Sequence, residues 1–142
     1  MDKPIAGYGW FIKRIDNALE KEANQNLQAL NLTMQQNRVL ILLAHAEEHT
    51  LSLKALEEHF GAAQSTVAGL VCRLEKKGLI EAVASPADRR IKLARLTEEG
   101  ARIHAQSRQN VVDSEASLTS NLSPEEREGF LSCLKKVYAA VK

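Results

Sequence analysis

Asp88-Arg89-Arg90 stands inside SPADRRIKLARLTEEG, residues 85–100, where Ser85-Pro86-Ala87-Asp88 has turn chemistry and Ile91 to Leu96 reads as a short strand. Charge at a hairpin tip adds little to a core, so these residues are either solvated or reach for a partner. An aspartate two residues before an arginine can fix its guanidinium through charge-assisted hydrogen bonds. A cation held in this way suits the phosphate backbone and the electronegative minor groove of DNA.

A second set of candidates precedes it. At about 100° per residue, Val67, Leu70, Val71 and Leu74 share one face of a helix over Gln64 to Lys77. Ser65, Gly69, Cys72 and Lys76 fall opposite, flanked by Thr66 and Arg73. Polar and cationic side chains on an outward helix face can meet base edges and phosphates in the major groove. The candidate DNA-binding residues are therefore Gln64, Ser65, Thr66, Arg73 and Lys76 on the helix, with Asp88, Arg89 and Arg90 at the tip. Set against this, a polar helix face and a charged turn are also ordinary solvated surface. Cys72 lies among the outward residues, where Arg73 and Lys76 would favour its thiolate, so it is a candidate redox site. No resolving cysteine is evident by spacing, and a small residue tolerated at a groove edge is the plainer account.

Other chemistries find little support. No nucleophile–base spacing, glycine-rich phosphate loop or metal-ligand set is present, so no enzyme activity, catalytic residue, metal or cofactor is expected. Cys133, beside Leu134, reads as a small buried hydrophobe. Tyr8, Trp10, Phe11, His45 and His104 could line a cleft for a small aromatic ligand. Aromatics at helical spacing are better read as core or dimer interface, and His45, in an apolar helix, as a hydrogen-bonded core residue.

The elements that must position these residues follow from periodicity and punctuation. Ile5, Tyr8, Ile12, Ile15, Leu19, Ala23, Leu27 and Leu30 mark a long amphipathic helix. Thr33-Met34-Gln35-Gln36 has capping-box spacing, and the VLILLAHA after it predicts a central helix buried nearly all round. Leu51-Ser52-Leu53 alternates briefly before Ser52 caps a short helix through Phe60, closed by Gly61. After the outward-facing helix, Gly78 is the stop, and Leu79 to Ala84 pairs with Ile91 to Leu96 as a hairpin. Thr97 caps a long, mostly polar helix, and Ser123-Pro124-Glu125-Glu126 starts a last one striped by Phe130, Leu131, Leu134, Val137, Tyr138 and Val141. The order is a helix-turn-helix with a wing, mainly α with a small β-hairpin. It divides into an N-terminal helix (1–32), a winged helix-turn-helix (33–96, outward helix 64–77, wing 79–96) and C-terminal helices (97–142).

The 142 residues carry a net charge of +1, which alone argues against a general nucleic-acid binder. The distribution argues otherwise. Residues 64–95 hold Arg73, Lys76, Lys77, Arg89, Arg90, Lys92 and Arg95 against Glu75, Glu81 and Asp88, a local +4 that leaves −3 elsewhere. The longest apolar run, Val39 to Ala44, is short of the roughly 20 residues that cross a bilayer, and MDKPIAGYGW lacks a secretory signal's apolar stretch. A soluble, reduced, cytoplasmic protein with no membrane partner is expected.

QSTVAGLVCRLEKKGLIE followed by SPADRRIKLARLTEEG resembles the MarR transcriptional regulators of bacteria and archaea. Asp88-x-Arg90 followed by Leu96-Thr97 and Gly100 carries the resemblance, which extends over the flanking long helices. It implies a wing arginine in the minor groove positioned by the acidic residue, a recognition helix in the major groove, and a homodimer made by the first and last helices. It further implies a repressor on a near-palindromic operator in double-stranded DNA, released by a small aromatic acid or an oxidant. The chain departs from the family pattern at Ala63, where a serine-type cap is common, and at Ala68-Gly69, where hydroxyl and arginine side chains are common. Cys72 stands at a frequent aspartate position and Ala82 at a frequent arginine position. A winged-helix module for protein–protein assembly is the competing reading, since a fold does not fix a function.

Overall fold

Capping boxes start two of the helices and left-handed residues close three, so much of the chain's punctuation is local. The structure, a computed structural model, describes residues 6–142. Helix α1 spans Tyr8–Ala29 and α2 spans Met34–His45. Ile5, the first residue of the expected α1 stripe, lies outside the described residues. Asn31 closes α1 at φ 56°, with the Asn31 N–H donating to Gln28 O and the Leu32 N–H to Leu27 O. Leu27 and Leu32, the pair such a closure juxtaposes, are both buried. The Thr33 hydroxyl then accepts from the Gln36 N–H (3.1 Å) while Gln36 Oε1 accepts from the Thr33 N–H (3.2 Å), completing the capping box of α2.

Val39, Leu40 and Leu43 of α2 are fully buried, but the helix is not enclosed all round. Ile41 and His45 are exposed, which corrects the expectation of a core histidine. An apolar sequence does not by itself bury a helix, because single-chain packing covers only the sides that neighbours reach.

Strand β1 (Thr50–Ser52) leads into helix α3 (Leu53–Phe60), and Ser52 caps that helix by accepting from the Ala55 N–H at 3.0 Å. Gly61 at φ 58° turns the chain into helix α4 (Gln64–Lys76). Gly78, at φ 74°, ends α4 as Asn31 ends α1, with Leu79 N–H on Leu74 O and Gly78 N–H on Glu75 O. Strands β2 (Ile80–Ala84) and β3 (Lys92–Leu96) pair antiparallel from Ile80↔Leu96 to Ala84↔Lys92. The sheet has a third member. β1 pairs with β3 through Thr50↔Arg95 and Ser52↔Leu93, giving the order β1-β3-β2. The core is aliphatic, drawn from the end of α1, α2, Leu56 of α3, the inner face of α4, and Leu79, Ile80, Ala94 and Leu96.

Helix α5 spans Glu98–Leu118. The Thr97 hydroxyl accepts from the Gly100 N–H (3.0 Å) and donates to Gly78 O (2.7 Å), so one side chain starts α5 and ties it to the end of α4. Gly100 is buried, and a Cβ there would stand 2.0 Å from Leu79 O. The chain forms two units, one ending at Gln109 and one over Asn110–Lys142. In the second, helix α6 (Pro124–Val141) starts with the Ser123–Glu126 capping box and a proline in its first turn. No α6 residue is buried: Phe130, Leu131, Val137 and Tyr138 are all exposed. Cys133 is exposed as well, contrary to its expected burial, because the stripe beside it is uncovered in the single chain.

The Gly100 contact is testable. Gly100→Ala should destabilise the protein by about 1–3 kcal/mol, the usual cost of forcing atoms into packed space, since the clash is with backbone. Gly129→Ala, on α6 with open space around it, should be neutral or slightly stabilising through helix propensity. Equal thermal melting temperatures for Gly100→Ala and the parent would contradict the close approach.

Candidate nucleic-acid interface

The inner face of α4 fixes what its outer face offers. Val67, Leu70, Val71 and Leu74 are buried, with relative exposures of 1%, 8%, 5% and 0%. Gln64, Ser65, Thr66, Cys72, Arg73 and Lys76 are exposed. The inward set read from sequence is buried and the outward set is exposed, apart from the half-buried Gly69. Ala63 supplies no side-chain cap, so the first N–H groups of α4 have no side-chain acceptor at the N-cap. Gly69 leaves the helix surface low, and the Arg73 guanidinium folds back over it: a Cβ on Gly69 would lie 3.4 Å from Arg73 Nη1.

At the wing the Asp88–Arg90 relation is realised. Arg90 Nε donates to Asp88 Oδ1 (3.1 Å) and Arg90 Nη2 to Asp88 Oδ2 (3.0 Å), a two-pronged ion pair. The Arg90 backbone N–H also donates to Oδ1 (3.0 Å), and the Ile91 N–H to Asp88 O (3.0 Å). The side chain of Arg90 is nonetheless 91% exposed. The carboxylate thus orients the guanidinium without withdrawing it from solvent. Asp88 is held below the usual carboxylate range, first by the Arg90 side chain and then by the Arg90 backbone N–H, against a slight opposing effect of burial. Arg90 is correspondingly raised by Asp88.

The basic count needs a correction for pairing. Arg95 is matched across the sheet by Glu81, with Nη2 to Oε1 at 2.6 Å. Lys77 donates inward to Asn31 O and Gln36 Oε1. Among the described residues, Arg73, Lys76, Arg89 and Lys92 are exposed cations with no acidic partner. Lys92, one of the cations of the basic segment, stands at the wing end of β3 opposite Ala84.

Four of the five candidate ligand residues form two separate pairs. Trp10 and Phe11 meet edge-on at 4.9 Å with Arg14 over the Trp10 ring, while Tyr8 is 92% exposed. His45 and His104 meet edge-on at 6.0 Å. Burial, then His45 and Arg108, push His104 below the usual imidazole range, and its Nδ1 has no hydrogen-bond partner. A groove of about 570 Å³ runs along α1 to the start of α2, lined by Asn17, Glu20, Lys21, Asn24, Leu32 and Met34 among others, and by none of those five residues. Among the described residues no group of His, Cys, Asp or Glu could hold a metal, and no helix is long and apolar enough to cross a membrane.

A short helix, a glycine turn, a seated second helix with a polar outer face and a charged hairpin beside it define a winged helix-turn-helix protein. Residues 32–92 match the MarR family. Apo MarR from E. coli superposes with a TM-score of 0.70 at 29% identity, covering 95% of this chain and 98% of that one. The S. aureus MepR–DNA complex superposes with a TM-score of 0.85 at 25% identity, covering 95% and 100%. The uncharacterised HTH-type transcriptional regulator YfiV of Bacillus subtilis is 38% identical over 74 residues, 52% of this chain; the match spans 45% of YfiV, under half its length. Over residues 32–92 the chain is similar to the MarR family, and its winged-helix fold is that of MarR and MepR.

The ion pair makes a solution test available. A depressed carboxylate contributes its stabilisation above the ordinary value of 3.8 and loses it only as pH falls through the lower, paired value. The wing tip should therefore keep its geometry throughout the neutral range. Carbon NMR of Asp88 should give a midpoint below 3.8 in the parent and one returned towards it in Arg90→Ala. Matching midpoints in the two proteins would mean the pair does not form in solution.

Proposed function

We propose that this chain is a sequence-specific transcriptional regulator that binds double-stranded DNA as a homodimer, with α4 in the major groove and the wing in the adjacent minor groove. The observation that carries the reading is the Asp88–Arg90 pair: an arginine oriented by two hydrogen bonds yet 91% exposed. A guanidinium fixed before binding loses less side-chain entropy when it enters a groove. Ser65, Thr66, Arg73 and Lys76 stand ready for base edges and phosphates, and Arg89 and Lys92 for the backbone. The uncapped first turn of α4 adds backbone donors of the kind that meet phosphates.

Dimerisation is supported by apolar surface with nothing to cover it in one chain. On α1, Tyr8, Phe11, Ile12 and Ile15 are exposed; on α6, Leu131, Val137, Tyr138 and Val141 are. Surface of this kind marks interfaces. A two-fold dimer would place its recognition helices roughly 34–36 Å apart and read a near-palindrome. A dimer across a promoter obstructs polymerase, which makes repression the simplest output, with release by a small aromatic molecule or an oxidant. Cys72, exposed on the DNA-facing side of α4, is where a thiol modification would intrude.

Gel-shift titration of mixed genomic fragments at several salt concentrations tests the reading. The logarithm of affinity should fall linearly with the logarithm of salt, by about 0.9 per phosphate contact. Arg90→Ala should weaken binding by about 1–3 kcal/mol, the worth of one good groove contact, with Arg89→Ala costing less. Asp88→Ala should weaken binding too, although it removes a negative charge; tighter binding would remove the orienting role. Salt-insensitive or absent binding would favour a protein–protein module.

Two further outcomes are expected. Sedimentation at micromolar concentration should show a stable dimer, and a monomer there would refute the assembly. Alkylating the thiols should abolish DNA binding in the parent and spare Cys72→Ser. Equal loss in both would move the sensitive site elsewhere.

A further inference from the structure

Lys77 is the C-cap residue of α4, and its ammonium points away from the outer face of that helix, towards the turn between α1 and α2. It donates to the backbone carbonyl of Asn31 and, at 2.8 Å, to Gln36 Oε1. Both acceptors are special in this fold. Asn31 is the left-handed residue that closes α1, so the cation sits at the negative end of that helix. Gln36 is the one buried polar residue among those described, at 4% exposure, and its Oε1 already accepts from the Thr33 N–H in the capping box. One ammonium therefore joins the last turn of α4 to the closure of α1 and the start of α2.

The aliphatic seat fixes the rotation of α4 about its own axis, but apolar contacts are non-directional and tolerate small tilts and slides. A pair of hydrogen bonds at one end is directional and removes that freedom. Resting on the DNA-binding reading above, we propose that Lys77 is a positioning residue of the interface: it sets the tilt of the recognition helix from the α1–α2 turn, so that displacement of α1 is passed to α4. The lysine itself need not touch DNA.

The test separates positioning from phosphate contact and from general stability. Lys77→Met keeps the aliphatic stem and removes the donors, and Lys76→Met serves as the outward-facing comparison. With mixed-sequence duplex DNA, Lys77→Met should lose tenfold or more in affinity with an unchanged salt slope. Lys76→Met should reduce that slope by about one. Amide hydrogen exchange over residues 72–79 should quicken in Lys77→Met without DNA, while thermal melting shifts little. Asn31→Gly, which retains the carbonyl and the left-handed turn, should behave as the parent. Gln36→Met combined with Lys77→Met should cost no more affinity than Lys77→Met alone, since both cut one network. A salt slope lowered by Lys77→Met would overturn the proposal in favour of a phosphate contact, and an affinity loss that tracks a fall in melting temperature would reduce it to stability. Unchanged affinity and exchange would overturn it outright. Failure of the parent to bind DNA would sink only the DNA reading, because the exchange measurement still decides whether Lys77 holds α4.

Discussion

Val67, Leu70, Val71 and Leu74 leave α4 one way to sit on the core. Rotating the helix by two residues would bring Arg73 or Lys76 inward and push aliphatic side chains out. Each fully buried aliphatic side chain is worth about 1.5–3 kcal/mol as an upper estimate, and an unpaired buried cation costs several more. The two penalties act together, so the outward set of Ser65, Thr66, Cys72, Arg73 and Lys76 is a consequence of the inward one. The candidate interface depends on that constraint before it depends on any polar contact.

The ends of α4 extend the constraint to its neighbours. At Gly78 the left-handed turn sends the chain straight into β2, and the Thr97 hydroxyl donates to the Gly78 carbonyl while accepting from the Gly100 N–H. Gly100 lies so close to Leu79 that no side chain fits between them. Helix α4, the wing and the first turn of α5 are thus one joint of backbone and small residues. At the wing's far tip, order comes from charge instead. Asp88 organises the turn through backbone and side-chain bonds together, so the one residue fixes both the loop and the arginine it presents.

Much of this is legible in sequence where the determining physics is local. The Thr33–Gln36 and Ser123–Glu126 boxes, the stop at Gly61, the inner face of α4 and the Asp88-x-Arg90 pair all lie within a few residues and could be read directly. Features set by distant partners could not. β1 is three residues long and becomes a strand only by pairing with β3, more than forty residues later. Arg95 counts as basic until strand register sets Glu81 opposite it. In sequence Lys77 is one more cation, and its backbone acceptor at Asn31 carries no sequence mark. The apolar neighbours of His45 and Cys133 suggest burial, but periodicity reports which residues share a face, not whether a single chain covers it, and both are exposed.

The central claim is that one surface, made of α4 and the wing, receives duplex DNA with Arg90 already oriented. Amide NMR of isotope-labelled protein, titrated at low salt with a mixed-sequence duplex of about 20 base pairs (long enough for two half-sites one helical turn apart), tests it most directly. The expected result is progressive shifts at residues 64–76 and 85–92, with the Arg90 side-chain resonance among those that move and α6 quiet. Shifts confined to α1 or α6, or a wing that stays unperturbed while α4 responds, would contradict it.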